Sequence, residues 1–249
     1  MGIKSFIKYG YLKAGSIIYG NDESKVIYYH DVHDKKRYTE MSTTMELFKK
    51  HIEIIKERGY SIVSDIEHRE KELEITFDDG FRGIYENFDF FTSNKIPVRV
   101  FLVSGFIGKK EYLTKHEISE LLATGLFKIG SHTVSHENLD DMSPQRVEVE
   151  LQASRKNLED MFGKSVKTLC FPRGKFTDKI IELAKESGYE KLYCCLPGSY
   201  FKPYKKGLIN RSLVQNSNLK EFKLILNGAD IIFFNRYLKQ HYNNKALTN

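Results

Sequence analysis

Two kinds of apolar spacing alternate along the chain. Short β-type runs occur at Lys25-Val26-Ile27-Tyr28-Tyr29, Ser61-Ile62-Val63, Glu74-Ile75-Thr76-Phe77, residues 97–103, around Ile129-Gly130, at Leu169-Cys170-Phe171, and at residues 190–196 and 208–214. Between them apolar residues recur every three or four positions. Met45, Phe48, Ile52 and Ile55 predict a helix that Thr43 or Thr44 caps and Gly59 ends. Ser143-Pro144 opens another, with Val147, Leu151 and Leu158 as its buried stripe. Further helices are expected near 83–93, 115–123, 177–187, 219–226 and 230–240. Strand-helix alternation of this kind is the pattern of parallel strands joined by crossover helices. The class is therefore α/β, and 249 residues suit a single domain with one sizeable core, a barrel or a doubly wound sheet.

The polar signals fall where the β-type runs stop. His30-Asp31, Asp78-Asp79, His132 with His136, and Pro172-Arg173-Gly174 each follow one. Sites in α/β folds gather beyond the carboxyl ends of parallel strands, so these groups are expected on one rim. Adjacent strand residues point to opposite faces, so Asp78 and Asp79 serve one site only if the backbone turns between them, which Gly80 allows. One carboxylate with two imidazoles suits a zinc-like ion with an open coordination position, leaving the other aspartate as a base. Each signal alone is weak. Eight histidines make one His-x-x-x-His spacing unsurprising, and Asp-Asp-Gly is common turn chemistry. Their joint order, with Phe171-Pro172-Arg173-Gly174 downstream, gives the pattern its force.

Composition narrows the setting. The net charge of +6 is spread over short lysine pairs, as on a solvated basic surface and unlike a nucleic-acid groove. Three cysteines, two of them adjacent, do not form a secreted disulfide framework and read as reduced thiols. Residues 1–21 lack a continuous apolar run for a signal peptide or a membrane span. The expectation is a cytoplasmic protein. Phe6, Ile7, Tyr9, Tyr11, Leu12, Ile17 and Ile18 read as either a packing segment or an interfacial one in peripheral contact with a membrane.

The motifs together resemble the polysaccharide deacetylase family with the NodB homology domain, carbohydrate esterase family 4. Thr76-Phe77-Asp78-Asp79-Gly80 is similar to its first motif, Ser131-His132-Thr133-Val134-Ser135-His136 to its second and Phe171-Pro172-Arg173-Gly174 to its third. The resemblance implies a distorted (β/α) barrel, with a core over about 70–249 and an N-terminal barrel extension over 1–69. It makes Asp78 the general base and Asp79, His132 and His136 the ligands of one divalent ion, zinc first, with cobalt, nickel or iron also accepted. Phe171, Pro172 and Gly174 then belong to a groove wall whose backbone offers an N–H to the oxyanion. The implied activity is removal of an N-acetyl, or less often an O-acetyl, group from a glycan or glycan precursor containing N-acetylhexosamine.

The chain departs from the family pattern in places. It has no tryptophan and no late Leu-x-His, and its late histidine, His241, lies on a polar segment expected to be exposed. Cys170 stands where many relatives carry an arginine, so Arg173 or Arg211 is the candidate positive partner for Asp78. His30 either lines the substrate groove or satisfies a core hydrogen bond, and Tyr200 is a candidate for stacking on a sugar. His33, His51, His68 and His116 read as surface residues. The missing acid histidine supports an alternative, a metal-containing carbohydrate-binding pseudoenzyme on the same fold.

Overall fold

The computed structural model describes residues 3–242, with side chains from Ile7 onward. Strands Lys25–Tyr29, Glu72–Phe77, Val98–Leu102, Phe127–Ser131, Thr168–Cys170 and Lys191–Tyr193 pair in that order, each parallel to the next. The run expected at 208–214 is split at Asn210. Its first half, Leu208–Ile209, pairs with Lys191–Tyr193. Its second half, Arg211–Leu213, pairs with Lys25–Tyr29, setting Arg211 beside Val26. One short segment thereby joins the first strand to the last, and the parallel sheet closes into a distorted (β/α) barrel.

Alternation along the strands sorts the side chains. Ile27, Tyr29, Leu73, Ile75, Phe77, Val98, Val100 and Leu102 point outward into the main apolar core, which Phe48, Ile52, Ile55 and Phe91 complete from the helices. The inward set is mixed. Val26, Phe101, Cys170, Tyr193 and Ile209 form a small apolar cluster. Below it Arg99 Nε donates to Glu74 Oε1 at 2.7 Å, and the Tyr193 hydroxyl donates to Glu74 Oε2 at 2.9 Å. Phe101 fits because Gly130 faces it: a Cβ there would lie 2.5 Å from the Phe101 ring.

Local chemistry sets the helices. Thr44 caps Met45–Glu57 by accepting from the Leu47 N–H, and Ser143 caps Pro144–Phe162 with proline in the first turn. The stretch expected as one helix at 83–93 is two, Gly83–Glu86 and Phe88–Ser93, broken at Asn87, whose side chain donates to the Gly83 carbonyl at 2.8 Å. The N-terminal segment is a helix, Ile3–Tyr19, docked against Ala229–Phe233 through buried Leu12 and through Gly15, where a Cβ would meet the Ala229 carbonyl oxygen at 2.2 Å.

Two histidines expected at the surface are buried. His51 stacks on Phe222 at 3.8 Å, between the Tyr29 hydroxyl and the Ser217 carbonyl. His241 packs against Tyr237 and beside Gly174, with Nδ1 buried and unpartnered.

Candidate active site

Strand Glu72–Phe77 delivers the two aspartates to the carboxyl end of the barrel. The Asp78 N–H extends the strand ladder by donating to the Tyr29 carbonyl at 3.0 Å. The turn then falls on Asp79 itself, at φ 70°, and on Gly80, at φ 82°, closed by the Gly80 N–H donating to the Asp78 carbonyl at 2.9 Å. Gly80 is required for a second reason: a Cβ there would lie 2.7 Å from Leu102 Cδ2. This kink leaves both neighbouring carboxylates in one site.

The second motif continues strand Phe127–Ser131, with the His132 N–H donating to the Leu102 carbonyl at 2.9 Å. His132 Nδ1 donates to the Cys170 carbonyl at 2.7 Å, which fixes the tautomer and leaves the Nε2 lone pair free. Thr133 and His136 both take positive φ, 65° and 58°. Glu150 from helix Pro144–Phe162 supports this reversal by accepting from the Val134 and Ser135 N–H groups at 2.9 and 3.0 Å. The loop brings His136 Nε2 to 3.2 Å from Asp79 Oδ1, with His132 Nε2 at 3.4 Å from the same oxygen.

These three atoms make a donor set for a divalent cation. Asp79 Oδ1 is buried and has no hydrogen-bond donor, and two imidazole nitrogens converge on it. A buried carboxylate oxygen left this way is costly unless a cation completes it. Burial works against a charged His132, but Asp79 and Asp78 outweigh it and hold its pKa above the usual value. His136 is pushed down to about 4, first by burial and then by the neighbouring His132 charge. One carboxylate therefore does not support two charged imidazoles, and a neutral imidazole offers its lone pair to a cation. Asp78, His132 and Cys170 form a similarly tight group, but a guanidinium already occupies both Asp78 oxygens and the thiol.

That guanidinium is Arg211. Its Nη1 and Nη2 donate to Asp78 Oδ1 and Oδ2 at 2.6 and 2.8 Å, while Nε donates to the Cys194 carbonyl at 3.1 Å. Nη1 also reaches Thr76 Oγ1 at 3.1 Å, and the Tyr28 ring covers the guanidinium at 4.4 Å. Burial alone would raise the Asp78 pKa, yet Arg211 overrides it and holds the carboxyl at about 2. Of the two arginines proposed from the sequence, Arg211 pairs with Asp78. Arg173 is exposed at φ 53° in the third-motif turn, where its charge helps to depress His136. The Cys170 thiol lies 2.9 Å from Arg211 Nη2, and the arginine itself comes from the barrel-closing strand.

The remaining candidates divide. His30, at the end of the first strand, is half-buried, with Nδ1 2.5 Å from Gln215 Oε1, and it lies near enough to both aspartates to stabilise their charged forms. Pro172 and Gly174 are buried in the third-motif turn beside Cys195 and His241. Phe171 does not face a groove: its ring is fully buried and stacks on Phe176 at 5.4 Å. Tyr200 belongs to the opposite mouth of the barrel, where its N–H donates to the Ser24 carbonyl and its ring packs by Lys191, both at the starts of strands. Gln215 and Glu150, which orient the histidines, carry no motif signal. His241 was misplaced, although its spacing from Tyr237 and Leu238 puts it on a helix face with apolar neighbours.

The family model for polysaccharide deacetylases matches residues 65–192, about half of the chain. The chain belongs to the polysaccharide deacetylase family. Among its relatives, YxkH of Bacillus subtilis is 28% identical over 145 residues, covering 58% of this chain and 52% of that one. A poly-β-1,6-N-acetyl-D-glucosamine N-deacetylase of Staphylococcus aureus is 30% identical over 128 residues, covering 46% and 44%. The chain thus spans about half the length of these relatives. Two solved structures share the fold. A polysaccharide deacetylase from Bacillus cereus superposes with a TM-score of 0.71 at 22% identity, covering 82% of this chain and 69% of that one. IcaB from Ammonifex degensii superposes at 0.70 and 20% identity, covering 84% and 98%.

Proposed function

We propose that this polysaccharide deacetylase removes the N-acetyl group from an N-acetylhexosamine-containing saccharide, with one divalent ion, zinc first, held by Asp79 Oδ1, His132 Nε2 and His136 Nε2. The observation that carries the reading is an arginine-clasped Asp78 next to an unpartnered Asp79 oxygen that faces two imidazole nitrogens. An N-acetylglucosamine polymer is the substrate class favoured by the name of the Staphylococcus aureus relative.

Held there, such an ion would supply polarisation of the acetyl carbonyl and a lowered pKa for bound water. The chain's own groups do the rest. Asp78, kept ionised by Arg211, accepts the proton of the attacking water. The Arg173 N–H, which follows Pro172 at the head of the third-motif turn, is the backbone donor offered to the developing oxyanion. The leaving amine needs a proton, and His30 is the imidazole available for it. Gln215 Oε1 accepts from Nδ1–H, so the proton to be given sits on Nε2. With His30 in this role, a missing C-terminal histidine no longer favours a binding-only protein.

Acetate release from N-acetylated glucosamine oligosaccharides tests the reading. Activity is expected to disappear on chelation, return with zinc, and be lost in Asp78→Asn while metal content persists. Saccharide binding without acetate release by the metal-loaded protein overturns it.

A further inference from the structure

The N-terminal helix Ile3–Tyr19 has apolar residues on two sides, and the fold uses only one. Leu12 and Gly15 face Ala229–Phe233, and Lys8 Nζ ties the same side to Glu221 at 2.7 Å. Ile7, Tyr11, Ala14 and Ile18 recur at i, i+4, i+7 and i+11 along the margin of this contact, where the Tyr11 ring meets Phe233 edge-on at 6.0 Å, and the stripe stays exposed. Ile7 is 53% exposed, Tyr11 55%, Ile18 65% and the adjacent Ile17 87%. The stripe borders an open groove of about 500 Å³ whose floor is Ile7, Tyr11, Phe233 and Tyr237.

The charges beside this apolar surface have one sign. Residues 7–20 contain Lys8 and Lys13 and no carboxylate, and helix Phe234–His241 contributes Arg236 and Lys239 and no carboxylate. Lys13, Arg236 and Lys239 are exposed and have no ion-pair partner among the described residues. A bare aliphatic stripe, a tyrosine beside it and a fringe of unpaired cations have the composition of a helix that lies in a lipid headgroup layer. Another protein copy presenting the same face would bring these cations against each other. Among the described residues no helix is long and apolar enough to cross a bilayer, so the contact is with its surface.

From this charge complementarity we infer that the groove and outer face of the N-terminal helix dock onto an anionic lipid bilayer, with Ile17 and Ile18 entering the acyl boundary and Lys13, Arg236 and Lys239 meeting the headgroups. Lys8, Phe233 and Tyr237 also line a cavity of about 100 Å³ that reaches Cys195 and Arg211, so the docking face adjoins the arginine that clasps Asp78. Docking needs no deacetylation and is measured without it.

The test is co-sedimentation of the full chain with phosphatidylcholine vesicles that contain or lack phosphatidylglycerol. Binding is expected only with phosphatidylglycerol, falling at least about tenfold on raising salt from 0.05 to 0.5 M. The double variant Ile17→Glu/Ile18→Glu is expected to lose binding by a similar factor, and Lys13→Gln/Arg236→Gln/Lys239→Gln to weaken it. Unchanged circular dichroism and melting establish that both remain folded. Equal binding to neutral vesicles, no binding to anionic ones, or full binding by the Ile17→Glu/Ile18→Glu variant overturns the inference. A concentration-dependent dimer of the parent chain that the same variant dissociates also overturns it, assigning the face to a second copy.

Discussion

Arg211 and Asp78 meet fork to fork inside the barrel, 133 residues apart in sequence, with both carboxylate oxygens engaged at 2.6 and 2.8 Å. The arginine comes from the segment that closes the sheet, so barrel closure and the ionisation of Asp78 depend on the same few residues. Both partners are buried, and neither charge has bulk water to fall back on.

Arg211→Ala is therefore expected to strand a buried carboxylate and to lower unfolding stability by about 3–5 kcal/mol in urea titrations, with loss of acetate release. Arg211→Met combined with Asp78→Asn removes both charges and should recover most of that stability without restoring activity. A double variant as unstable as Arg211→Ala would show that the loss arises from packing, not from the unpaired charge.

Metal affinity should grade with distance from the three donor atoms. In the proposed site His136 and Asp79 are ligands, so removing either should weaken zinc binding, measured against a competing chelator, by more than about 100-fold. Glu150 ligates nothing but holds the Val134 and Ser135 N–H groups that shape the His136 turn. Glu150→Ala is expected to weaken zinc by about tenfold, the range for groups that orient ligands. Equal affinity in Glu150→Ala and the parent would show that the turn holds its shape without it.

Stability should also depend on pH through His51. The unfolded imidazole titrates near 6.5, whereas burial between Tyr29, Phe222 and Ser217 pushes the folded one down to about 4. The fold binds this proton less well than the unfolded chain does. The contribution is thus complete above pH 6.5 and is lost as pH falls towards 4. In urea unfolding, the advantage of the parent over His51→Gln should shrink by roughly 2–3 kcal/mol between pH 7 and pH 4. A difference that stays constant over that range refutes the assignment.

Much of the site was legible because it is local. Strand alternation, the abrupt polar ends of the β-type runs and the Asp-Asp-Gly turn are all set within a few residues. What long-range packing decides was harder to read. Arg211 could be named as one of two arginines, but only the pairing of Val26 with Arg211 chooses between them. His51 was misread although it follows Phe48 by three places on a buried helix face, because a polar residue type outweighed its position. Phe171 was assigned to a groove through its motif, while strand alternation after Cys170 turns its ring outward into the core. Tyr200 lies in a loop whose sequence carries no information about the mouth of the barrel that the loop serves.

Gln215 Oε1 lies 2.5 Å from His30 Nδ1, and Thr43 anchors the same residue by donating to the Gln215 carbonyl at 2.6 Å. If His30 protonates the leaving amine, His30→Gln should lower kcat by about 10²- to 10⁴-fold while zinc content stays at the parent level. The loss should shrink for a substrate whose leaving group needs no proton, such as an activated aryl acetate, because the acid is then dispensable. Gln215→Leu leaves the imidazole in place but unanchored, and should cost kcat less than His30→Gln does, with KM little changed. A His30→Gln enzyme that hydrolyses amide and aryl ester with equally reduced rates would move His30 from proton donor to substrate positioning, and an unchanged kcat on the amide would remove it from the reaction altogether.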